Sequence, residues 1–164
     1  MSARLGRGDS LAALLDNNAK INTQNHVGRT PLLEALLCGH QEVATLLVQR
    51  GANLQFENVH GRTVLGELAS RGNVEAVRML LNLGALIDFE SAAGSTALVE
   101  AAVGNQVETL LVLVEHGAHI DRENAAGTTA LIRACGEGKR EAVVVLAQVR
   151  ERACAMGLPL PSGP

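Results

Sequence analysis

One short stretch of the sequence resembles a catalytic motif. Gly136-Glu137-Gly138-Lys139 is similar to the end of a phosphate-binding loop, in which backbone N–H groups and a lysine bind phosphate. That loop also needs a glycine five residues before its second glycine and a serine or threonine after its lysine. These positions hold Arg133 and Arg140 here. The stretch is therefore interpreted as a turn between two helices, and no phosphate site is predicted.

Cysteine and histidine residues are the other candidates for chemistry. Cys38 and His40 could be a nucleophile with its base, or a pair of metal ligands, but Gly39 between them is typical of a helix end. The histidines never pair at i and i+4, and no serine lies in a Gly-x-Ser-x-Gly turn. The sequence accordingly predicts a protein that is not an enzyme and that has no metal or cofactor.

The elements that would position any functional residue recur at a fixed spacing of 33 residues. Four types of position keep this register without an insertion: Gly28, Gly61, Gly94 and Gly127; Thr30, Thr63, Thr96 and Thr129; Leu32, Leu65, Leu98 and Leu131; Glu42, Glu75, Glu108 and Glu141. Such regularity indicates an array of repeats, in which each copy contacts only its neighbours.

The sequence of one copy predicts two short helices. Thr30 before Pro31 is typical of a helix start, and Gly39 is typical of a left-handed helix end. A second helix is predicted from Glu42 to just before Gly51. Isolated helices of fewer than about 12 residues barely form in water, so these helices must be stabilised by stacking on other copies.

This pattern resembles that of the ankyrin repeat family, whose copies read roughly D-x-x-G-x-T-P-L-H-x-A-A…G…E-V…L-L…G-A. The resemblance covers about residues 1 to 150. It implies an all-α solenoid of stacked helix-turn-helix pairs with extended finger loops, and a module that binds other proteins. The segment from Asn53 to Arg62, rich in turn-forming residues, is one predicted finger.

The chain departs from the family pattern in the T-P-L-H tetrapeptide. The family histidine, which hydrogen-bonds between neighbouring loops, is replaced by Leu33, Gly66, Val99 and Ile132. We expect less rigid interfaces as a result. Because a glycine inside a helix lowers its stability by about 1 kcal/mol relative to alanine, the copy that contains Gly66 is expected to be the least stable.

A single domain is predicted over residues 1–157. Its copies span about 1–25 (truncated), 26–58, 59–91, 92–124 and 125–157, and 158–164 is a Pro-rich tail that is expected to be disordered. In the fourth copy, Asn105 is expected to take the left-handed position that glycine holds elsewhere. The second helix of the last copy is expected to continue towards Gly157.

Composition limits the class of protein and its partners. A net charge of −3 provides no basic surface for nucleic acid, and two phenylalanines without tyrosine or tryptophan predict a core of leucine, valine and alanine. Three cysteines at unrelated repeat positions favour reduced thiols and an intracellular protein, cytoplasmic or alternatively nuclear. The longest apolar run, 142–147, is too short to span a bilayer, and no secretory signal is present, so no membrane partner is expected.

The family resemblance implies that a partner binds on the concave side, which is made of finger tips and exposed positions of each first helix. The predicted partner-binding residues are Arg29, Glu34, Phe56, Glu57, His60, Arg62, Glu67, Arg71, Phe89, Glu90, Glu100 and Glu123.

Glutamates at repeat spacing form two rows within this set. The finger row is Glu57, Glu90 and Glu123, and the helix row is Glu34, Glu67 and Glu100. Adjacent copies lie on the order of 10 Å apart, comparable to a Debye length, so the rows could add into an acidic strip that docks a basic segment. The alternative is that they are helix-forming residues on a solvated face, with Arg71 pairing Glu67.

Apolar residues suggest two further contact surfaces. Phe56 and Phe89 share one repeat position near the finger tips, where exposed aromatic side chains would act as binding anchors. Leu111 and Val144 take a second-helix position that is polar in earlier copies, which predicts an apolar back in the C-terminal half and self-association or a covering element there.

The favoured function is an intracellular adaptor or inhibitor that binds another protein. The alternative is a structural or self-associating segment of a larger scaffold. A narrower resemblance to small ankyrin-repeat inhibitors of cyclin-dependent kinases is carried by Arg7-Gly8-Asp9, Leu14-Leu15, Asn17-Asn18, Asn22, Gln24-Asn25 and Gly28-Arg29-Thr30. Those inhibitors shorten the first helix of their second repeat, whereas the segment from Gly28 to Gly61 keeps full length.

Overall fold

The computed structural model describes residues 21–155, which contain eight α-helices in four helix-turn-helix pairs. They are α1 (Pro31–Leu37), α2 (Gln41–Gln49), α3 (Val64–Ser70), α4 (Val74–Asn82), α5 (Ala97–Val103), α6 (Val107–Glu115), α7 (Ala130–Gly136) and α8 (Arg140–Ala155). Most of the predicted truncated first copy and the predicted tail at 158–164 lie outside the described residues. No strand occurs within 21–155, where an isolated antiparallel bridge joins Glu57 to Thr63 at the base of a finger.

The first helix of each pair begins and ends as the repeat pattern predicts. The capping threonines adopt extended backbone conformations, and each side-chain oxygen accepts a hydrogen bond from the N–H three residues ahead: Thr30, Thr63, Thr96 and Thr129. The left-handed residues after these helices are Gly39, Gly72, Asn105 and Gly138. Asn105 has φ 56°, which confirms its predicted role as the substitute for glycine.

The helices stack into two layers with one continuous core. The first helices α1, α3, α5 and α7 form one layer, the second helices form the other, and the core between them is built from leucine, valine and alanine. The predicted all-α ankyrin-repeat architecture is therefore confirmed. The second helix of the last copy, α8, has 16 residues against 9 for α6, so it continues past the repeat as expected. Within 21–155 no helix is long and apolar enough to cross a membrane.

The seams between copies are not equally tight. Helix α3 packs closely on α5, and α5 on α7, whereas α1 approaches α3 at few points. A groove of about 280 Å³ opens along this wider seam at the helix-turn end, between Leu36 and Met79. A smaller void lies at its finger end, beside Leu33 and Phe56.

The width of each seam follows from side-chain size at one repeat position. Leu36 in α1 is buried where α3 and α5 carry Ala69 and Ala102, so its larger side chain holds α1 away from α3. Small residues have the opposite effect at the next seam, where a Cβ on Gly66 would lie 3.3 Å from Cγ of Glu100. The widest seam is thus at Leu36, and Gly66 belongs to a tightly packed one.

Candidate protein-binding surface

Four finger tips project from the stack. Each is a tight turn in which a side-chain oxygen of the turn accepts at least one backbone N–H group. Oδ1 of Asn58, for example, accepts from His60 at 2.9 Å and from Arg62 at 3.1 Å. Each turn leaves its two tip residues exposed. The tip residues are His26, Val27, Val59, His60, Ala92, Ala93, Ala125 and Ala126.

Hydrogen bonds between neighbouring fingers hold the tips in a row. The Glu57 carboxylate accepts from the N–H of Ala92 at 3.0 Å, and Nε2 of Gln24 donates to the Glu57 carbonyl at 3.2 Å. Nδ2 of Asn124 donates to the Gly94 carbonyl at 2.9 Å. These bonds link adjacent fingers, although the family histidine that usually does so is absent from the sequence.

Arginines neutralise the helix row of glutamates. Glu34 lies 3.3 Å from Arg29, and Glu67 lies 2.6 Å from Arg71, the i,i+4 pair given above as the alternative to an open acidic strip. Arg62 lies 2.9 Å from Glu100 and 3.6 Å from Glu67, so it bridges two copies. Since each of these carboxylates has a cationic partner, the helix row offers little net negative charge.

The finger row keeps acidic character in its C-terminal half. Glu57 is used to hold the next finger, as described above. Glu90 is half-buried and Glu123 is exposed, and neither has an ion-pair partner within 21–155. The remaining negative potential of the predicted strip therefore lies around these two residues.

The two phenylalanines have different surroundings. Both side chains are half-buried. Phe56 packs against the core at the wide seam, whereas Phe89 is not among the side chains that pack against that core. Phe89 is therefore the better candidate for an aromatic contact with a partner.

Valines at the finger tips were not singled out from the sequence. Val59 is 71% exposed, the largest exposed fraction among the large apolar side chains of 21–155, and Val27 is 61% exposed. Val27 directly precedes a repeated glycine, and Val59 lies two residues before one. Both are inside turn-forming segments, and this position is a signal that could have identified them. An apolar side chain at the tip of a tight turn cannot reach the core, so it is available to a partner.

The back of the stack turns apolar towards its C-terminal half, as predicted. Leu111 on α6 is 40% exposed and Val144 on α8 is 47% exposed, at the position that Thr45 and Arg78 hold in α2 and α4. The two lie in adjacent copies, on the face opposite the first helices.

The stretches considered for catalysis are helix ends. Gly136 is the last residue of α7, and Gly138 has φ 66° in the turn before α8. Cys38 caps α1 and is followed by Gly39 with φ 72°. Both stretches serve the helix-turn-helix corner, as interpreted from the sequence.

Stacked helix pairs with a row of fingers define a helical solenoid repeat protein. The family model described as ankyrin repeats (3 copies) matches residues 1–91 and 85–154, so the chain belongs to the ankyrin repeat family. Ankyrin repeats are in general protein–protein interaction modules and are typically without catalytic activity. Among the curated proteins, none matches this chain.

Proposed function

We propose that this chain is a non-catalytic interaction module that acts as an intracellular adaptor or inhibitor, in the cytoplasm or alternatively in the nucleus. It binds another protein on its concave side. The observation that supports this proposal is the row of exposed finger tips, held in place by hydrogen bonds between fingers, beside first helices whose charges are paired. A preorganised row of this kind loses little conformational entropy on binding.

The surface suits an extended segment with two kinds of side chain. Val27 and Val59 offer apolar contacts at the N-terminal fingers. Glu90 and Glu123 offer negative charge at the C-terminal fingers, next to the half-buried Phe89. The partner segment therefore carries apolar residues at one end and lysine or arginine at the other.

Affinity capture from cell extract with two matched variants tests the face that is used. Val59→Asp places a charge on a finger tip, and Thr45→Asp places the same charge on the back of α2, away from the apolar patch at Leu111 and Val144. We expect the tip variant to lose the proteins that the parent chain captures and the back variant to keep them. Capture of the same proteins by both variants would overturn the concave assignment.

Once a partner has been identified, a second comparison shows whether the aromatic side chain or the neighbouring charge contributes more to affinity. Phe89→Ala should weaken binding by about 2 kcal/mol, roughly 30-fold, because a desolvated aromatic anchor is lost. Glu90→Lys should weaken the binding free energy by about 0.2 to 1 kcal/mol at moderate salt, because exposed charge pairs are screened. It should slow association more at low salt than at high salt. If Glu90→Lys weakens binding far more than Phe89→Ala does, the main contact with the partner is a buried charged one and not the aromatic side chain.

Self-association is a second candidate function, favoured by the exposed Leu111 and Val144 on the back of the stack. It would make the chain a structural segment of a larger scaffold, the alternative drawn from the sequence. No observation favours inhibition of cyclin-dependent kinases. Helix α1 has 7 residues, as many as α3, so the shortened helix of those inhibitors is absent.

A further inference from the structure

We infer that the groove in the wide seam is a second docking site, and that it takes an arginine side chain of a partner protein. The groove lies at the helix-turn end of the stack, between α1 and α4, and its lining includes Leu36, Cys38, Glu75 and Met79. The fingers lie at the opposite end of these helices. The inference therefore goes beyond the concave surface and does not depend on which protein binds there.

The next seam shows which kind of side chain fits this space. There the side chain of Gln106 crosses from the fourth copy, and its Nε2 donates to the Ser70 carbonyl at 3.4 Å. Its amide lies so close to Gly72 that a Cβ on this glycine would clash with it. At this end of the stack, the space between two copies is thus filled by a long side chain with an N–H donor at its tip.

Within the described part of the chain, the wide seam has no such side chain of its own. Asn73 holds the position of Gln106 but is one methylene shorter, and its Oδ1 accepts from the N–H of Ala76 at 3.2 Å in its own helix. Leu37 is the last residue of α1, where carbonyl groups have no partner inside the helix. It lines the groove at the position of the residue that Gln106 bonds in the next seam. The groove therefore presents a hydrogen-bond acceptor that an incoming donor can use.

The charge beside the groove favours a cation. Glu75 lines the groove, is exposed, and has no ion-pair partner within 21–155. Arg71, in the turn before α4, is bonded instead to Glu67 at 2.7 Å. Glu42 and Glu108 hold the same repeat position as Glu75, because a glutamate suits the first turn of a helix. Glu108 lies at the filled seam, whereas Glu75 borders an open groove and can pair with a charge that enters it.

An arginine side chain matches these features together. Its methylene stem can pack against Met79 while the guanidinium stays at the groove mouth. Glu75 and Met79 are four residues apart on α4, so they lie on one face of the helix. The five N–H donors of a guanidinium can serve both the Leu37 carbonyl and the Glu75 carboxylate. At about 280 Å³ the groove is smaller than the pockets of about 300–1,000 Å³ that hold small-molecule ligands, so it suits one side chain.

Titration of the full chain with the blocked tripeptide acetyl-glycyl-arginyl-glycine amide tests the site. The methyl resonance of Met79 reports on the groove wall. We expect it to shift in a saturable way with a dissociation constant in the millimolar range, as suits a contact made by one side chain. The same tripeptide with norleucine in place of arginine keeps an unbranched stem without the charge, and it should bind about fivefold more weakly.

Two matched glutamate variants locate the charge that the tripeptide uses. Glu75→Gln should weaken its binding about fivefold, because one charge pair is lost. Glu108→Gln, at the same repeat position beside the filled seam, should leave the dissociation constant unchanged. Both side chains are exposed, so both variants should keep the parent fold. An equal loss in the two variants would assign the binding to overall negative charge and would overturn the inference.

The thiol of Cys38 gives a second readout because it lines the groove. The chain has three cysteines, all exposed, so Cys135→Ser and Cys154→Ser leave Cys38 as the sole thiol. At a tripeptide concentration ten times the dissociation constant, its reaction with a neutral thiol reagent should slow about tenfold. As the control, Cys38→Ser with Cys154→Ser leaves Cys135 as the sole thiol, and the tripeptide should not change its rate.

Three results would each overturn the inference. The first is a Met79 resonance that does not shift during the titration, and the second is a Cys38 thiol that the tripeptide does not protect. The third is equal affinity for the arginine and norleucine tripeptides, since that outcome would assign the groove to a neutral apolar ligand.

Discussion

At the scale of single residues, two glycines show how closely successive first helices approach. A Cβ on Gly66 would lie 3.1 Å from Oγ1 of Thr63 and 3.3 Å from Cγ of Glu100. The first contact belongs to the threonine cap, which Leu33 and Val99 accommodate in other copies, and the second is with a flexible side chain. A Cβ on Gly104 would lie 2.5 Å from the carbonyl oxygen of Ser70, a backbone atom that cannot move aside.

These contacts predict opposite outcomes for the same substitution. Gly66→Ala should change the free energy of unfolding by less than about 0.5 kcal/mol, because a helix-propensity gain of up to 1 kcal/mol is offset by crowding against Glu100. Gly104→Ala should destabilise by about 1 to 3 kcal/mol, since α5 must move away from α3. Urea unfolding of both variants beside the parent measures the difference. Equal effects would show that the seam between α3 and α5 is looser than described.

At the scale of elements, one loop side chain joins two copies. Oδ1 of Asn105, in the turn after α5, accepts from the N–H of Ala142 at 3.1 Å, and its Nδ2 donates to Oε2 of Glu141 at 2.6 Å. Asn105 thereby caps the first turn of α8. Its hydrogen bond is the main cause that holds the pKa of Glu141 below the ordinary carboxyl value, followed by a backbone N–H bond and the charge of Arg140.

This link predicts a dependence of stability on pH. Because the pKa of Glu141 is lowered in the folded state, its contribution is present above the unfolded-state pKa and is lost as pH falls through the folded one. Asn105→Gly keeps the left-handed backbone and removes the amide. We expect it to raise the pKa of Glu141 and to flatten the acidic part of the stability curve.

Nuclear magnetic resonance titration of the Glu141 carboxyl, with urea unfolding at several pH values, checks both effects. Glu141→Gln added to Asn105→Gly serves as the control and should change the pH dependence little further. A Glu141 titration that is the same in Asn105→Gly as in the parent would show that Asn105 does not set it.

The unequal seams predict which elements open first. Among the helices of 21–155, α1 and α2 meet the next copy across the wide seam, whereas α5 packs tightly on both sides. Native-state hydrogen exchange should therefore show the amides of α1 and α2 exchanging before those of α5 and α6. Uniform protection would contradict this order. Earlier opening of α3 and α4 would instead support the sequence-based expectation that Gly66 marks the softest copy.

At the scale of the whole molecule, the two faces of the stack differ in chemistry. The concave side carries paired charges and exposed finger tips, and the back carries exposed leucine and valine in its C-terminal half. The two faces therefore correspond to the two proposed functions, partner binding on the concave side and self-association on the back.

The back surface predicts self-association that specific substitutions remove. Leu111→Lys with Val144→Lys should leave helicity intact and weaken any dimer by about 30-fold or more, because two partly exposed apolar side chains leave the interface and charges enter it. Light scattering over a range of concentrations measures the mass. Thr45→Lys, at the same repeat position on α2, is the matched control. A dimer that survives the double substitution would place the contact elsewhere.

Much of this fold could be predicted from the sequence because its determinants are local. A threonine directly before a helix can cap it through its own side chain, as the four capping threonines do. A left-handed turn position selects glycine or asparagine, as Asn105 shows. A spacing of 33 residues that keeps these local signals in register then leaves stacking as the way to bury short amphipathic helices. The caps, the turns, the two-layer stack and the long last helix follow from that pattern.

Other features depend on distances between residues of different copies, which no local pattern encodes. The sequence left two interpretations of the helix row of glutamates open, an acidic strip or a solvated face with Arg71 paired to Glu67. Neutralisation of Glu100 could not be foreseen, because it requires the guanidinium of Arg62 to reach the next copy. The width of a seam depends on how Leu36 and Gly66 fit against facing helices, so it could not be predicted from helix propensity alone. The sequence by itself determined the elements and their order; the tertiary structure decided which charges are neutralised, which seam is open and which apolar side chains remain exposed, because packing and Coulomb interactions act through space.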